Sequence, residues 1–287
     1  MKRLSDLIVA AMLTAWFPMA TAEAGSCTWI GPAAGNWNNP DNWTPSQVPG
    51  SGDTAAIPAG SHSVVIDNAV AINGLSIGAG SSLTLAAQMD LYGPLNNAGT
   101  LSWQDGDIIM YNSAAQGSTG AISNAAGGVL DIGCDRVVVG SEGAPQLHNA
   151  GTLRKTATTG STEIIVFFDS TGVVDVQSGT INCYVGGNLG GVLQAASAAT
   201  IYLISGDYVF SNTPTFQGLG QVGMYGSLVL TGSYSGTFGI FGGSLALGSD
   251  LTVASDGILN IQGLVGLDGQ LTNAGTIHIA DLSLIHI

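Results

Sequence analysis

Cationic side chains are scarce in this chain, with five Lys and Arg against 19 Asp and Glu among 287 residues and a formal net charge of −14. A nucleic-acid partner needs a cationic surface to displace counterions from its phosphates, so nucleic acid is excluded, and an anionic membrane surface is disfavoured on the same ground. Charged residues of both signs together reach only 8%. Such poverty of charge can accompany disorder, but disorder also requires low hydrophobicity, and the mean hydropathy is +0.37. Cysteine is scarce too. Cys27, Cys134 and Cys183 are odd in number and far apart, which is no disulfide framework. A Cys134–Cys183 pair and buried free thiols both stand as readings. After the N-terminus there is no apolar run long enough to span a bilayer, and Gly interrupts every candidate helix.

What the chain has in plenty is glycine, 43 residues without the every-third period of collagen. The organising element is Asn-Ala-Gly-Thr, which occurs three times between apolar residues. The copies are Leu95-Asn96-Asn97-Ala98-Gly99-Thr100-Leu101, Leu147-His148-Asn149-Ala150-Gly151-Thr152-Leu153 and Leu271-Thr272-Asn273-Ala274-Gly275-Thr276-Ile277. Asn and Gly tolerate positive φ, so each copy predicts a sharp corner followed by a strand. Corner-like glycines recur at Gly99, Gly127, Gly151, Gly172, Gly190, Gly220, Gly236, Gly257 and Gly275. Their spacing is irregular and centres near the twenty or so residues of a three-sided coil. Short alternating runs follow several of them, such as Val129-Leu130-Asp131-Ile132 and Val173-Val174-Asp175-Val176. Their apolar members are placed to stack in a core between coils. The predicted fold is all-β, a single-stranded right-handed parallel β-helix (β-solenoid) with an aromatic N-terminal cap.

Four segments are expected. Residues 1–24 read as a secretory signal peptide, with basic Lys2-Arg3, an apolar run through Phe17, and A-x-A sites at Ala20-Thr21-Ala22 and Ala22-Glu23-Ala24. Residues 25–60 read as a Trp-rich cap holding Trp29, Trp37 and Trp43, and residues 61–281 as solenoid repeats. The last six residues, 282–287, match a translation of CTGTCTCTTATACACATC, a transposase mosaic-end adapter, which makes them an expected artefact on a truncated chain. A natural solenoid closes with a capping repeat, and that ending has none.

The spacing of Trp37 and Trp43 in a W-x(4)-NW pattern, followed by Val48-Pro49-Gly50-Ser51-Gly52-Asp53-Thr54-Ala55-Ala56-Ile57, resembles the N-terminal segment of large secreted bacterial β-helix proteins. These are adhesin-like and autotransporter-passenger-like, and the run from Asn149 to Ile181 resembles their coils. The resemblance implies export to the extracellular space or outer cell surface, and a structural or adhesive role there.

Chemistry is hard to find. Arg136, Arg154 and Lys155 are the only permanent cations left once residues 1–24 are removed, and Arg154-Lys155 read as a solvated pair beside a corner. Asp105 and Asp107 form the closest carboxylate pair. They are the weak metal candidates, for Ca²⁺, although Asp-Gly turn chemistry explains them better. Gly218-Leu219-Gly220-Gln221-Val222-Gly223 matches a dinucleotide fingerprint formally, but a strand-like run follows where a helix is required. His62, His148 and His278 lack metal-ligand spacing. The expectation is therefore a non-enzymatic module with no catalytic residues and no cofactor. Its expected partners are surface glycans or components of a host or neighbouring cell. Binding is expected on a lateral face or around Gln104–Gln116, without membrane insertion, and the open C-terminal coil is expected to self-associate. The alternative is a carbohydrate-binding or polysaccharide-degrading β-helix protein in which Trp29, Trp37 and Trp43 stack on sugar rings.

Overall fold

The computed structural model describes residues 25–262 and 265–280. The expected signal peptide and residues 281–287, which include the expected adapter-derived artefact, lie outside them. The described chain is a β-solenoid of about 10 turns of stacked parallel coils, with no α-helix among the described residues. Accordingly, no described helix is long and apolar enough to cross a membrane.

Through most of the stack each strand pairs with the strands one coil before and after it, which builds three lateral faces. On the first face Ala55, Leu75, Leu95, Ile122, Leu147 and Phe168 are successive partners. On the second, Val64, Leu83, Leu101, Leu130, Leu153, Val174, Leu193 and Phe216 stack in the same way. Each of these side chains is buried. The third face runs through Met89–Leu91, Ile108–Tyr111, Val137–Glu142, Ser161–Ile165 and Thr180–Cys183. Alternation along a strand of four residues puts two side chains inside and two outside, so a core three strands wide grows as a set of vertical rows. Toward the C-terminus, Gln221–Ile240 and Gly243–Gln262 are continuous strands that bend round the corners with shifts of register. There the aliphatic rows give way to Phe210, Phe216, Tyr234 and Phe238, whose ring centroids lie 5.1–5.9 Å apart.

The Asn-Ala-Gly-Thr copies do mark corners, but not by the expected mechanism. Gly99, Gly151 and Gly275 are not among the positive-φ residues, whereas Gly127 and Gly236 are, at φ 85° and 76°. The requirement is closeness between coils. A Cβ on Gly151 would lie 2.3 Å from the Gly128 carbonyl oxygen, one on Gly172 2.1 Å from that of Gly151, and one on Gly191 1.9 Å from that of Gly172. The backbone turns each corner directly against the coil before it, and only a hydrogen side chain fits. In the first two copies the Asn is also not a surface turn residue, whereas Asn273 of the third is exposed and accepts from the Gly275 amide at 3.1 Å. Asn97, Asn124 and Asn149 point inward and are almost wholly buried.

These asparagines form a ladder up the corner between the first and second faces. Asn97 Nδ2 donates to Asn124 Oδ1 at 2.8 Å, Asn124 Nδ2 to Asn149 Oδ1 at 2.8 Å, and Asn149 Nδ2 to Ser170 Oγ at 3.1 Å. Each amide also donates to a second-face carbonyl of the next coil, Val129 at 2.9 Å, Thr152 at 3.1 Å and Val173 at 3.0 Å. One amide per coil thus ties two faces and two coils together, and satisfies itself in a place without water.

Candidate functional site

The aromatic first coil holds the three tryptophans to which the sequence pointed. Asn39 caps the short 3₁₀ turn Pro40–Asn42, and the chain returns as Trp43–Thr44, which pairs antiparallel with Thr28-Trp29. That added strand covers the outer edge of the first coil, which would otherwise offer unpaired backbone groups to another chain. Trp29, Trp37 and Trp43 are 2%, 0% and 0% exposed. Trp43 meets Trp29 and Trp37 edge-on at 5.2 and 4.7 Å, and its Nε1 donates to the Trp37 carbonyl at 2.8 Å. Sugar stacking needs a ring face in solvent, and as folded none of the three presents one. The expectation of carbohydrate stacking on these residues is corrected accordingly, since their rings are spent on packing. Trp37→Ala is expected to lower stability by about 3–5 kcal/mol, the loss of a large buried ring and the cavity left behind. Thermal unfolding followed by near-UV circular dichroism measures it. A variant that keeps the wild-type transition would show the ring to be dispensable for packing.

The carboxylates Asp105 and Asp107 flank Gly106, which sits at φ 76° as an Asp-Gly turn predicts. They do not converge. Asp105 Oδ1 accepts from the Gly106 amide at 2.8 Å and from Arg136 Nε at 2.7 Å, while Asp107 Oδ1 faces the Val137 amide at 3.4 Å. The Gly106 amide and then the Arg136 guanidinium hold the Asp105 carboxyl below the usual range. An arginine on the same oxygen competes with any cation, and no group of three or more His, Cys, Asp or Glu converges among the described residues.

The other two cations are also engaged. Arg154 lies on the outer second face, with Nε and Nη2 on the two oxygens of Asp131 at 2.9 and 3.1 Å. Lys155, expected in solvent beside it, is 0% exposed. It occupies the inward row between Ile132 and Val176. Its Nζ reaches the corner, donating to the Cys134 carbonyl (2.9 Å), Asp135 Oδ1 (2.7 Å), Thr158 Oγ1 (2.6 Å) and Thr162 Oγ1 (3.1 Å). Alternation along the strand decides this. If Leu153 faces in and Arg154 out, Lys155 must face in. The cysteines Cys27, Cys134 and Cys183 are all buried free thiols. Burial pushes Cys134 and Cys183 up to about 12, so neither is a thiolate near neutral pH.

The outward surfaces differ in chemistry. The first face presents small polar side chains, with a shallow groove of about 390 Å³ over Ala56, Ser76, Asn96 and Ser123. The Gln104–Gln116 segment carries the Asp-Gly turn and leads into a loop pinned by Ser118 Oγ on the Ser113 amide and by Gln116 on Glu142. The third face is the aromatic one. Its outer row runs in register through Glu163, Asn182, Tyr202 and Gly223. Tyr225 and Phe241 extend it, with centroids 6.1 and 5.7 Å from that of Tyr202, and Tyr225 is 58% exposed. Phe241 lies over two glycines: a Cβ on Gly239 would fall 2.2 Å from its Cζ, and one on Gly223 2.7 Å from its Cε2. Tyr202 Oη donates to Gln221 Oε1 at 2.7 Å. Burial, and Tyr225 beside it, raise the Tyr202 phenol, which therefore remains protonated through the physiological range.

Comparison with protein-family models, with curated proteins and with solved structures found no match to this chain. Sequence reasoning passed over the third-face aromatics because Tyr202, Tyr225 and Phe241 are widely separated along the chain and carry no motif. The one available signal was the outward parity of Tyr202, two residues from Thr200 and opposite in phase to Ile201 and Leu203.

Proposed function

We propose that this chain is an exported, non-catalytic structural or adhesive module that acts at a cell surface or outside the cell. The observation that carries the reading is the continuous parallel stack, in which side-chain ladders and backbone hydrogen bonds lock each coil to the next. Such a stack resists bending, and it sets three long faces at a distance from whatever anchors it. The N-terminal run with two A-x-A sites supports export. The paired cations and excess of acids favour contacts made by hydrogen bonding and apolar packing over contacts with polyanions.

Expression of the full chain in a Gram-negative host tests the first half. Cleavage after Ala22 or Ala24 and recovery outside the inner membrane are expected; an uncleaved cytoplasmic product would overturn export. Beads coated with the purified chain test the second half. They are expected to be retained under flow on bacterial or host-cell layers more than albumin-coated beads. Equal retention would overturn adhesion, and release of reducing ends from a polysaccharide would overturn the non-catalytic reading.

A further inference from the structure

The third face carries a feature that neither rigidity nor core packing requires. Tyr202, Tyr225 and Phe241 lie outside the coil on three successive turns, and Phe241 rests against Gly239 and Gly223, where a Cβ would collide with its ring. An outward aromatic side chain on a charge-poor protein invites non-specific association, and nothing in the core depends on it. Between and beside the rings are polar groups: the Tyr202 hydroxyl with Gln221 at one edge, and the Asn182–Glu163 pair continuing the row. Two acceptors of that pair, Glu163 Oε2 and Asn182 Oδ1, are buried and lack a hydrogen bond of ordinary geometry, although the Tyr184 hydroxyl, its phenol raised by burial and by the Glu163 carboxylate, stands beside that carboxylate. Unsatisfied buried acceptors ask for a donor.

We infer that this strip, Tyr202, Tyr225 and Phe241 with Gln221, Asn182 and Glu163, binds a neutral pyranose glycan along the solenoid axis. The match is chemical. A pyranose ring offers an apolar C–H face that packs on an aromatic ring, and a rim of hydroxyls that donate to amide and carboxylate oxygens. The three rings cluster, Tyr202 lying 6.1 Å from Tyr225 and edge-on to Phe241 at 5.7 Å, so together they offer one aromatic patch to the apolar face of a sugar ring. The two empty acceptors are reached by a side-chain shift of the kind common when a ligand docks. Anionic glycans are disfavoured because each described cation, Arg136, Arg154 and Lys155, already holds an acid. The inference rests on the adhesive reading and names its ligand.

Native affinity electrophoresis of the full chain in gels containing xyloglucan, galactomannan, mixed-linkage β-glucan or soluble chitin oligomers tests it, with polygalacturonate as the anionic control. Retardation by at least one neutral glycan is expected. Tyr225→Ala should weaken it about tenfold or more, Tyr225→Phe should retain it, and both should keep the wild-type melting transition, because the side chain lies largely in solvent. Glu163→Gln, with the ring platform intact, should weaken binding without changing which glycan is chosen. Retardation indifferent to Tyr225→Ala, preference for polygalacturonate, or no retardation by any neutral glycan would each overturn the platform. A dimer that Tyr225→Ala converts to monomer, without glycan binding, would overturn it too, in favour of a second copy on this face. Should the platform fail while coated beads still adhere under flow, the adhesive reading survives and the ligand lies elsewhere.

Discussion

Replacing Asn124 by aspartate is expected to destabilise the solenoid by about 4 kcal/mol or more at pH 7, and to do so at the middle of the stack. The asparagine is fully buried. Its Nδ2 donates to Asn149 Oδ1 and the Thr152 carbonyl, and its Oδ1 accepts from Asn97. A carboxylate keeps the shape and the acceptor but loses both N–H donors. It then sets a negative charge against the oxygens that the amide had satisfied. Asn124→Ala removes the same bonds without adding a charge and is expected to be milder, about 2–4 kcal/mol, from the partners left unpaired. The two variants separate by pH. Burial raises the folded pKa of the introduced carboxyl above its unfolded value. The Asn124→Asp penalty is therefore largest at high pH and shrinks as pH falls through that raised value, whereas the Asn124→Ala penalty is flat. Denaturant midpoints at several pH values measure both. Contacts in a solenoid are between neighbouring coils, so hydrogen exchange should quicken first at the corner amides of Ala125 and Ala150, which bond the Asn97 and Asn124 carbonyls. Equal penalties at every pH would mean that the carboxyl finds solvent, and that the ladder is not sealed.

The second large effect concerns Lys155. Asp135→Ala is expected to lower stability by about 3 kcal/mol, because it leaves a wholly buried ammonium with only neutral acceptors in Cys134, Thr158 and Thr162. Lys155→Met, which keeps the volume and removes the charge, is expected to be the milder change at about 1 kcal/mol. Thr162 Oγ1 already donates to the Cys134 carbonyl at 2.7 Å, so that oxygen is not orphaned by the loss of lysine. The order of the two variants is the test. If Lys155→Met is the more damaging, the ion pair stabilises more than its desolvation costs.

The same pair gives a pH dependence. Burial pushes the Asp135 carboxyl up, but the Lys155 ammonium and the Thr158 hydroxyl outweigh it and hold the group below the usual carboxylate range. A depressed folded pKa stabilises above the unfolded value, near pH 4, and that contribution is lost as pH falls through the folded value. Acid unfolding of the wild type should therefore include a component below about pH 4 that is missing in Asp135→Asn.

The aromatic platform and the Lys155 corner show where the sequence could be read and where it could not. Alternation in Val129-Leu130-Asp131-Ile132 and its counterparts was legible, because a two-residue period in short runs between glycines has one structural solution when both ends must bury their apolar members. The recurring corners were legible too, and the repetition of Asn-Ala-Gly-Thr between like runs pointed to coils stacked in parallel. The corner's mechanism was not legible. Asn and Gly in Asn-Ala-Gly-Thr suggest positive φ, but Gly151 is required because the Gly128 carbonyl lies against it, a contact made only after one coil has settled on another. The inward Asn149 is likewise invisible to a local reading, because a buried amide is acceptable only when Asn124 and Ser170 are already in place on either side.

Trp29, Trp37 and Trp43 were found from sequence as a cluster, but their use was decided by the returning strand Trp43–Thr44, which folds the rings inward. Lys155 and Arg154 were adjacent cations of the same apparent kind until the parity of one strand sent one to the core and the other to the surface. By itself, then, the sequence determined the class of fold, the net acidity of the chain, and the places where the chain turns. The tertiary structure alone decided which polar side chains are buried, why each glycine is needed, and which aromatics share a face. Those properties belong to contacts between coils, and such contacts join residues roughly twenty positions apart.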